Sequence, residues 1–157
     1  MLKDTNYTTL PPYIWDATEF STVENLDPCL ALRESLDAYG VFSKYDEDHL
    51  DFPDYCQLRA RCLRQAIRTF EPSIESIDEK RRDALRKNDM IMYSKILVEQ
   101  NKKFAQLNGS MVTEGCDHLG MREEVFANSH KYYSKDPECG PKIQEVDHYV
   151  RTQIDHA

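Results

Sequence analysis

From Asp51 to Phe70 the chain reads DFPDYCQLRARCLRQAIRTF, and this stretch constrains the fold more than any other. Pro53 suits a first helical turn, where its missing N–H costs nothing. Leu58, Cys62, Ala66 and Phe70 then recur every four residues, with Leu63 and Ile67 beside them. That spacing makes the apolar stripe of an amphipathic helix and does not fit the two-residue period of a strand. Arg59, Arg61, Arg64 and Arg68 fall around the rest of the cylinder, a basic face suited to pairing with acidic partners.

The same helical punctuation recurs along the chain. Asp27-Pro28 is a start signal, with Leu32, Leu36 and Tyr39 following and Gly40 as the stop. Lys44 to Asp51 reads as an acidic loop. Pro72 predicts the end of the helix that Pro53 begins, and Ser76 with Glu79 three residues later predicts the cap of the next. Ile77, Leu85, Met92, Ile96, Phe104 and Leu107 carry helical spacing on to Asn108-Gly109, a C-terminal stop. Such a helix of roughly 30 residues is about 45 Å long, so it predicts either an antiparallel hairpin or docking along a larger body. A loop through Cys116-Asp117-His118, a short helix near Met121 to Tyr133, breaks at Lys135-Asp136-Pro137 and Gly140-Pro141, and a last helix on Ile143, Val146, Val150 and Ile154 complete the pattern.

The expected fold is therefore all-α and elongated, with long amphipathic helices in a hairpin-like arrangement. Residues 1–26, which include Pro11-Pro12 and the single tryptophan, read as an extended arm anchored by Tyr13 and Trp15. Residues 27–109 form the helical region with the cysteine-bearing and long central helices, and residues 110–157 hold short helices and loops. Charged residues make up 31% of the chain and mean hydropathy is −0.69, so the apolar surface comes in thin stripes that call for a neighbour.

Charge is segregated: 12 acids face 3 bases in residues 1–55, 7 face 12 in residues 56–110, and 9 face 5 in residues 111–157. This arrangement suits charge-complementary docking to protein and argues against nucleic acid, which needs a coherent basic surface. No run of 18 apolar residues predicts a membrane span, and the first residues resemble neither a signal core nor a transit peptide. There is no P-loop, GxGxxG, HExxH, GxSxG or EF-hand pattern, so neither an enzyme nor a cofactor is expected. Asp46, Glu47 and Asp48 are consecutive and point in different directions.

Five cysteines, Cys29, Cys56, Cys62, Cys116 and Cys139, permit up to two bridges. Six steps along a regular helix set side chains about 240° apart and ~9 Å along the axis, beyond the roughly 7 Å that a disulfide spans between Cα atoms. A Cys56–Cys62 bridge therefore requires Cys56 to sit in a non-helical turn; otherwise Cys62 is a core thiol on the Leu58 stripe. Cys116, His118, His130 and Cys139 supply a sulfur and nitrogen set suited to zinc, although gaps of eleven and eight residues match no compact finger. His49, His148 and His156 read as solvated.

From Pro28 to about Lys87 the order of features resembles the PDSW subunit family of mitochondrial respiratory complex I, subunit 10 of its 1 beta subcomplex. The residues that carry the resemblance are Pro28 with Arg33-Glu34, Phe52-Pro53-Asp54, the pair Cys56 and Cys62, and the helix start at Ile77-Asp78. The chain departs from that family in lacking a second cysteine pair beyond the long helix, a basic link and a basic tail. The resemblance implies a non-catalytic accessory subunit on the intermembrane-space side of the inner membrane, peripheral to the membrane arm. It further implies contacts with other protein subunits, a disulfide between Cys56 and Cys62, and no cofactor. The alternatives are a soluble cytosolic helical adaptor and a small zinc-binding protein.

Overall fold

The first helix begins where a cap and a proline coincide. Asp27 accepts hydrogen bonds from the N–H groups of Cys29 and Leu30 (3.0 and 3.3 Å), and Gly40 closes the helix at a φ of +97° that favours glycine. In this computed structural model, which describes residues 27–40, 42 and 49–155, five helices and no strand occur among the described residues. They are α1 (Pro28–Tyr39), α2 (Phe52–Arg86), α3 (Met90–Leu119), α4 (Glu123–Ser134) and α5 (Cys139–Asp155). The chain is thus all-α. The expected arm with Tyr13 and Trp15, most of the acidic loop, the Ile154 side chain and His156 lie outside the described residues.

Pro72 does not stop α2, which runs on to Arg86 for 35 residues. Proline removes the donor that would reach the carbonyl of Arg68, at a cost of about 3 kcal/mol in a helix interior. Both residues face solvent, so water can satisfy that carbonyl. Packing holds the helix on either side: Phe70 meets Phe104 of α3 edge to face at 5.7 Å, and Ala84 is buried against the returning chain.

The reversal falls at Lys87–Asp89, which contains neither glycine nor proline. Asn88 takes a left-handed φ of +57°, which asparagine tolerates better than most side chains, and Asp89 caps α3 by accepting from the N–H of Met92 (3.0 Å). Asn108-Gly109, expected as a stop, lies inside α3 because Phe104, Leu107 and Met111 hold that helix on α2 across the weak point. The real stop is Gly120, at φ +68°, so Cys116-Asp117-His118 forms the last turn of α3 rather than a loop. A boundary at residue 110 therefore cuts a continuous helix. Gly140-Pro141 opens α5 instead of breaking the chain, since a proline in a first turn needs no donor.

α2 packs on every other helix. From Asp54 to Leu63 it is buried at all positions except the partly covered Arg59, enclosed by α1, the C-terminal half of α3, α4 and α5. Leu32, Leu36, Leu58, Cys62, Met111, Cys116, Val125, Val146 and Val150 make the core of this five-helix base. Between residues 71 and 110 only Ala84 is buried. There α2 and α3 run on as a two-helix arm, about 24 Å long for the 16 residues from Glu71 to Arg86. In the base the apolar stripes close on one another; in the arm one side stays open.

Two glycines of α3 separate these regimes. A Cβ on Gly115 would lie 3.2 Å from Leu58 Cδ1 and 3.3 Å from Cys62 Sγ, whereas one on Gly109 would meet nothing within 4 Å. Gly109→Ala is expected to raise the free energy of unfolding by about 1 kcal/mol through helix propensity. Gly115→Val is expected to lower it by about 3 kcal/mol through overpacking. Urea denaturation of the two variants beside the parent chain checks both signs.

Candidate functional site

Enclosing the start of α2 carries polar side chains inside, and each must find a partner there. Arg61 is 1% exposed; its Nε donates to Gln57 Oε1 (3.0 Å), and its Nη1 donates to the carbonyl and hydroxyl oxygens of Ser35 (2.6 and 2.9 Å). Its guanidinium also sits 5.5 Å from the ring centroid of Tyr39, whose hydroxyl donates to buried Asp54 (2.7 Å). These contacts pin α1 to α2.

A second network ties α2 to α4 and α5. Arg59 forms a two-bond fork with Asp147 (2.8 and 2.7 Å) and donates through Nη1 to the Tyr55 hydroxyl (3.3 Å). Tyr55 in turn bonds His130 Nδ1 (2.7 Å). Burial, ahead of every other influence, pushes the Tyr55 phenol up to about 12, so it keeps its proton and serves as the donor. Burial, then Arg59, lowers His130 from its ordinary value against the pull of Asp147, leaving a neutral ring that accepts. Burial opposes the charge on Arg59, but its hydrogen bonds with Asp147 and Tyr55 more than offset this and raise its pKa.

The basic face expected of Arg59, Arg61, Arg64 and Arg68 is therefore largely an interior feature, because a helix segment covered on all sides leaves no free face. Arg59 and Arg61 hold the base together. Arg64 is half-buried and pushed down to about 10, by burial first and then by Arg68 and Arg61. Arg68 alone of the four is exposed.

Cys56 and Cys62 are buried thiols in regular turns of α2 and are not joined by a disulfide. The helix begins at Phe52, so no irregular turn swings Cys56 round, and the bridge that the resemblance implies is not formed. The other three cysteines form no disulfide either. Nor are the four zinc candidates brought together. Cys116 is in the core, His118 Nε2 lies 2.8 Å from Asp37 Oδ1, His130 is bonded to Tyr55, and Cys139 opens α5. No group of three or more His, Cys, Asp or Glu among the described residues could hold a metal ion. Burial, with nearby acids adding to it, raises Cys116 to about 12 and Cys139 to about 11, so neither is a thiolate at neutral pH. His49, half-buried, stacks on Tyr132 at 4.5 Å and meets Tyr133 edge on.

The arm carries what the motif reading missed. Leu85, Met90, Ile91, Met92 and Val98 are all exposed, Ile91 at 84% and Val98 at 66%. Ile91 and Val98, seven residues apart, share a face. The signal was the run Met90-Ile91-Met92: three successive apolar residues spread over about 200° of a helix, more than one neighbouring helix covers. On a different flank a groove of about 440 Å³ runs between the two arm helices, with Ile77, Ala84, Met92 and Ile96 in it and Lys80, Lys95 and Lys103 along it.

No protein-family model, no curated protein and no solved structure matches this chain. No helix among the described residues is long and apolar enough to cross a membrane.

Two outcomes follow from the networks. Arg61→Ala is expected to cost about 3 kcal/mol by stranding its buried partners, and Arg61→Lys to recover little, since an ammonium cannot reproduce the fork; thermal or urea melts read both. Because the folded pKa of His130 lies below the ordinary 6.5, the unfolded chain binds more protons between the two values. Stability is thus expected to fall as pH drops through 6.5 towards the folded pKa, and His130→Gln to flatten that fall in urea titrations across the range.

Proposed function

We propose that this chain is a non-catalytic accessory protein that works by contact: its base is closed by its own helices and its arm presents an apolar face to a protein partner. The observation that carries this reading is the contrast between the largely enclosed start of α2 at the base and the exposed apolar side chains of the arm, Leu85, Met90, Ile91 and Val98, of which Ile91 and Val98 share a face. Exposed large apolar side chains gathered on one part of a molecule suit an interaction site, because leaving them in water forgoes the burial that a partner would provide.

For the partner, the resemblance from Pro28 to Lys87 suggests the membrane arm of mitochondrial respiratory complex I. The chain would lie there as a peripheral accessory subunit on the intermembrane-space side, supporting assembly and stability. The order of Pro28, Arg33-Glu34 and Phe52-Pro53-Asp54 supports that reading. The cysteines lend it nothing, since Cys56 and Cys62 are helical thiols. A soluble cytosolic adaptor is the second reading, favoured by the core that α1 to α5 complete among themselves.

Tagged full-length chain expressed in its own cells distinguishes the two. Co-migration with complex I on native gels of detergent-solubilised mitochondria supports the subunit reading. Recovery from cytosol as a monodisperse, cooperatively melting protein favours the adaptor. In either case Ile91→Glu combined with Val98→Glu is expected to cut partner co-purification about tenfold or more while leaving the melt of the base unchanged.

A further inference from the structure

The groove on the arm continues the one that α1 fills at the base. α1 meets both long helices there: Ser35 through Arg61 of α2, and Arg33 and Asp37 through Glu114 and His118 of α3. Because Asp37 is level with His118 at the end of α3, and Arg33 with Glu114 one turn earlier, the N-terminal end of α1 points towards the arm. At 100° per residue, Met92, Ile96 and Lys103 lie within about 40° of Glu114 around α3. Lys80, Asp83 and Lys87 lie within about 40° of Leu58 around α2, and Leu58 shares the Gly115 contact with Leu36 of α1. Most of the residues that line the arm groove are thus on the flank that α1 occupies, with Lys95 and Ile77 about 100° round from it.

Twenty-six residues precede Asp27, at the end of α1 that faces this groove. The distance along α3 from Glu114 to Met92 is about 33 Å, and 26 residues span up to about 86 Å when extended. Their chemistry suits the lining. Leu10, Tyr13, Ile14, Trp15 and Phe20 match a floor of Ile77, Ala84, Met92 and Ile96, and Asp4, Asp16, Glu19 and Glu24 outnumber the single Lys3. Along the groove, Lys80, Lys95 and Lys103 form no ion pair with a described residue. Of the three acids along it, Asp83 is committed to Lys87 and Asp89 to the cap of α3, leaving Glu99 against these three lysines.

We propose that residues 1–26 dock in cis along the arm groove, their aromatic and aliphatic side chains on the apolar floor and their acids towards Lys80, Lys95 and Lys103. The segment then continues the layer begun by α1 and covers one flank of the arm. The Ile91 and Val98 face stays free, so the proposal stands independently of the partner reading.

Trp15 is the only tryptophan, so its fluorescence in the full chain reports this contact without ambiguity. The emission is expected to be blue-shifted, and less quenched by acrylamide, than that of a free peptide of residues 1–26. Ile96→Glu, and separately Lys80→Glu with Lys95→Glu and Lys103→Glu, are expected to return it to the peptide value with far-UV circular dichroism unchanged. Val98→Glu is expected to leave the blue shift in place. Three results would overturn the proposal: a parent emission equal to that of the peptide, a blue shift that survives both groove variants, or one that disappears on dilution and so reports a second copy.

Discussion

Burying α2 from Asp54 to Leu63 on nearly every side is the constraint from which the rest of the structure follows. A helix with Asp54, Gln57, Arg59 and Arg61 in that stretch cannot be enclosed by apolar surface alone, because an unpartnered buried charge costs several kcal/mol. Three of its four neighbours therefore arrive with a polar partner as well as an apolar stripe, and α3 closes the remaining side with apolar contacts. α1 brings Ser35 and Tyr39, α4 brings His130, and α5 brings Asp147. The positions of these helices are set by directional bonds to α2, which is why short and individually weak helices are held in one arrangement.

Past Phe70 that constraint lapses, and among the described residues the two long helices pair chiefly with each other. The arm still pairs, through Phe70 on Phe104 and Ala84 at the turn, but it keeps Met90, Ile91 and Val98 in water. One chain thus combines a base stabilised from within and an extension that is not. That division separates a stable scaffold from the surface proposed to do its work.

Much of this was legible in the sequence. Asp27-Pro28 and Gly40 bound α1, Pro53 opens α2, and the stripe of Leu58, Cys62, Ala66 and Phe70 is buried, because caps and periodicity are local properties. The errors arose where tertiary packing overrides local preference. Pro72 and Gly109 each weaken a helix by a few kcal/mol at most, and the facing helix outweighs them. Asn88-Asp89 is a quieter turn signal than Asn108-Gly109, yet a left-handed asparagine followed by a capping aspartate suffices to reverse the chain. The arginines misled for a related reason. Four basic residues around a helix look like a solvated face until the neighbours are known, and Asp147 and Ser35 are 88 and 26 residues away from the arginines they bind.

Hydrogen–deuterium exchange on the isolated full-length chain tests the division between base and arm most directly, since exchange reads local opening along each helix. The account predicts strong protection in α2 from Asp54 to Phe70 and in α3 from Met111 to Cys116, falling by at least about tenfold towards Arg86 and Met90. Equal protection of base and arm tip in the isolated chain would contradict it.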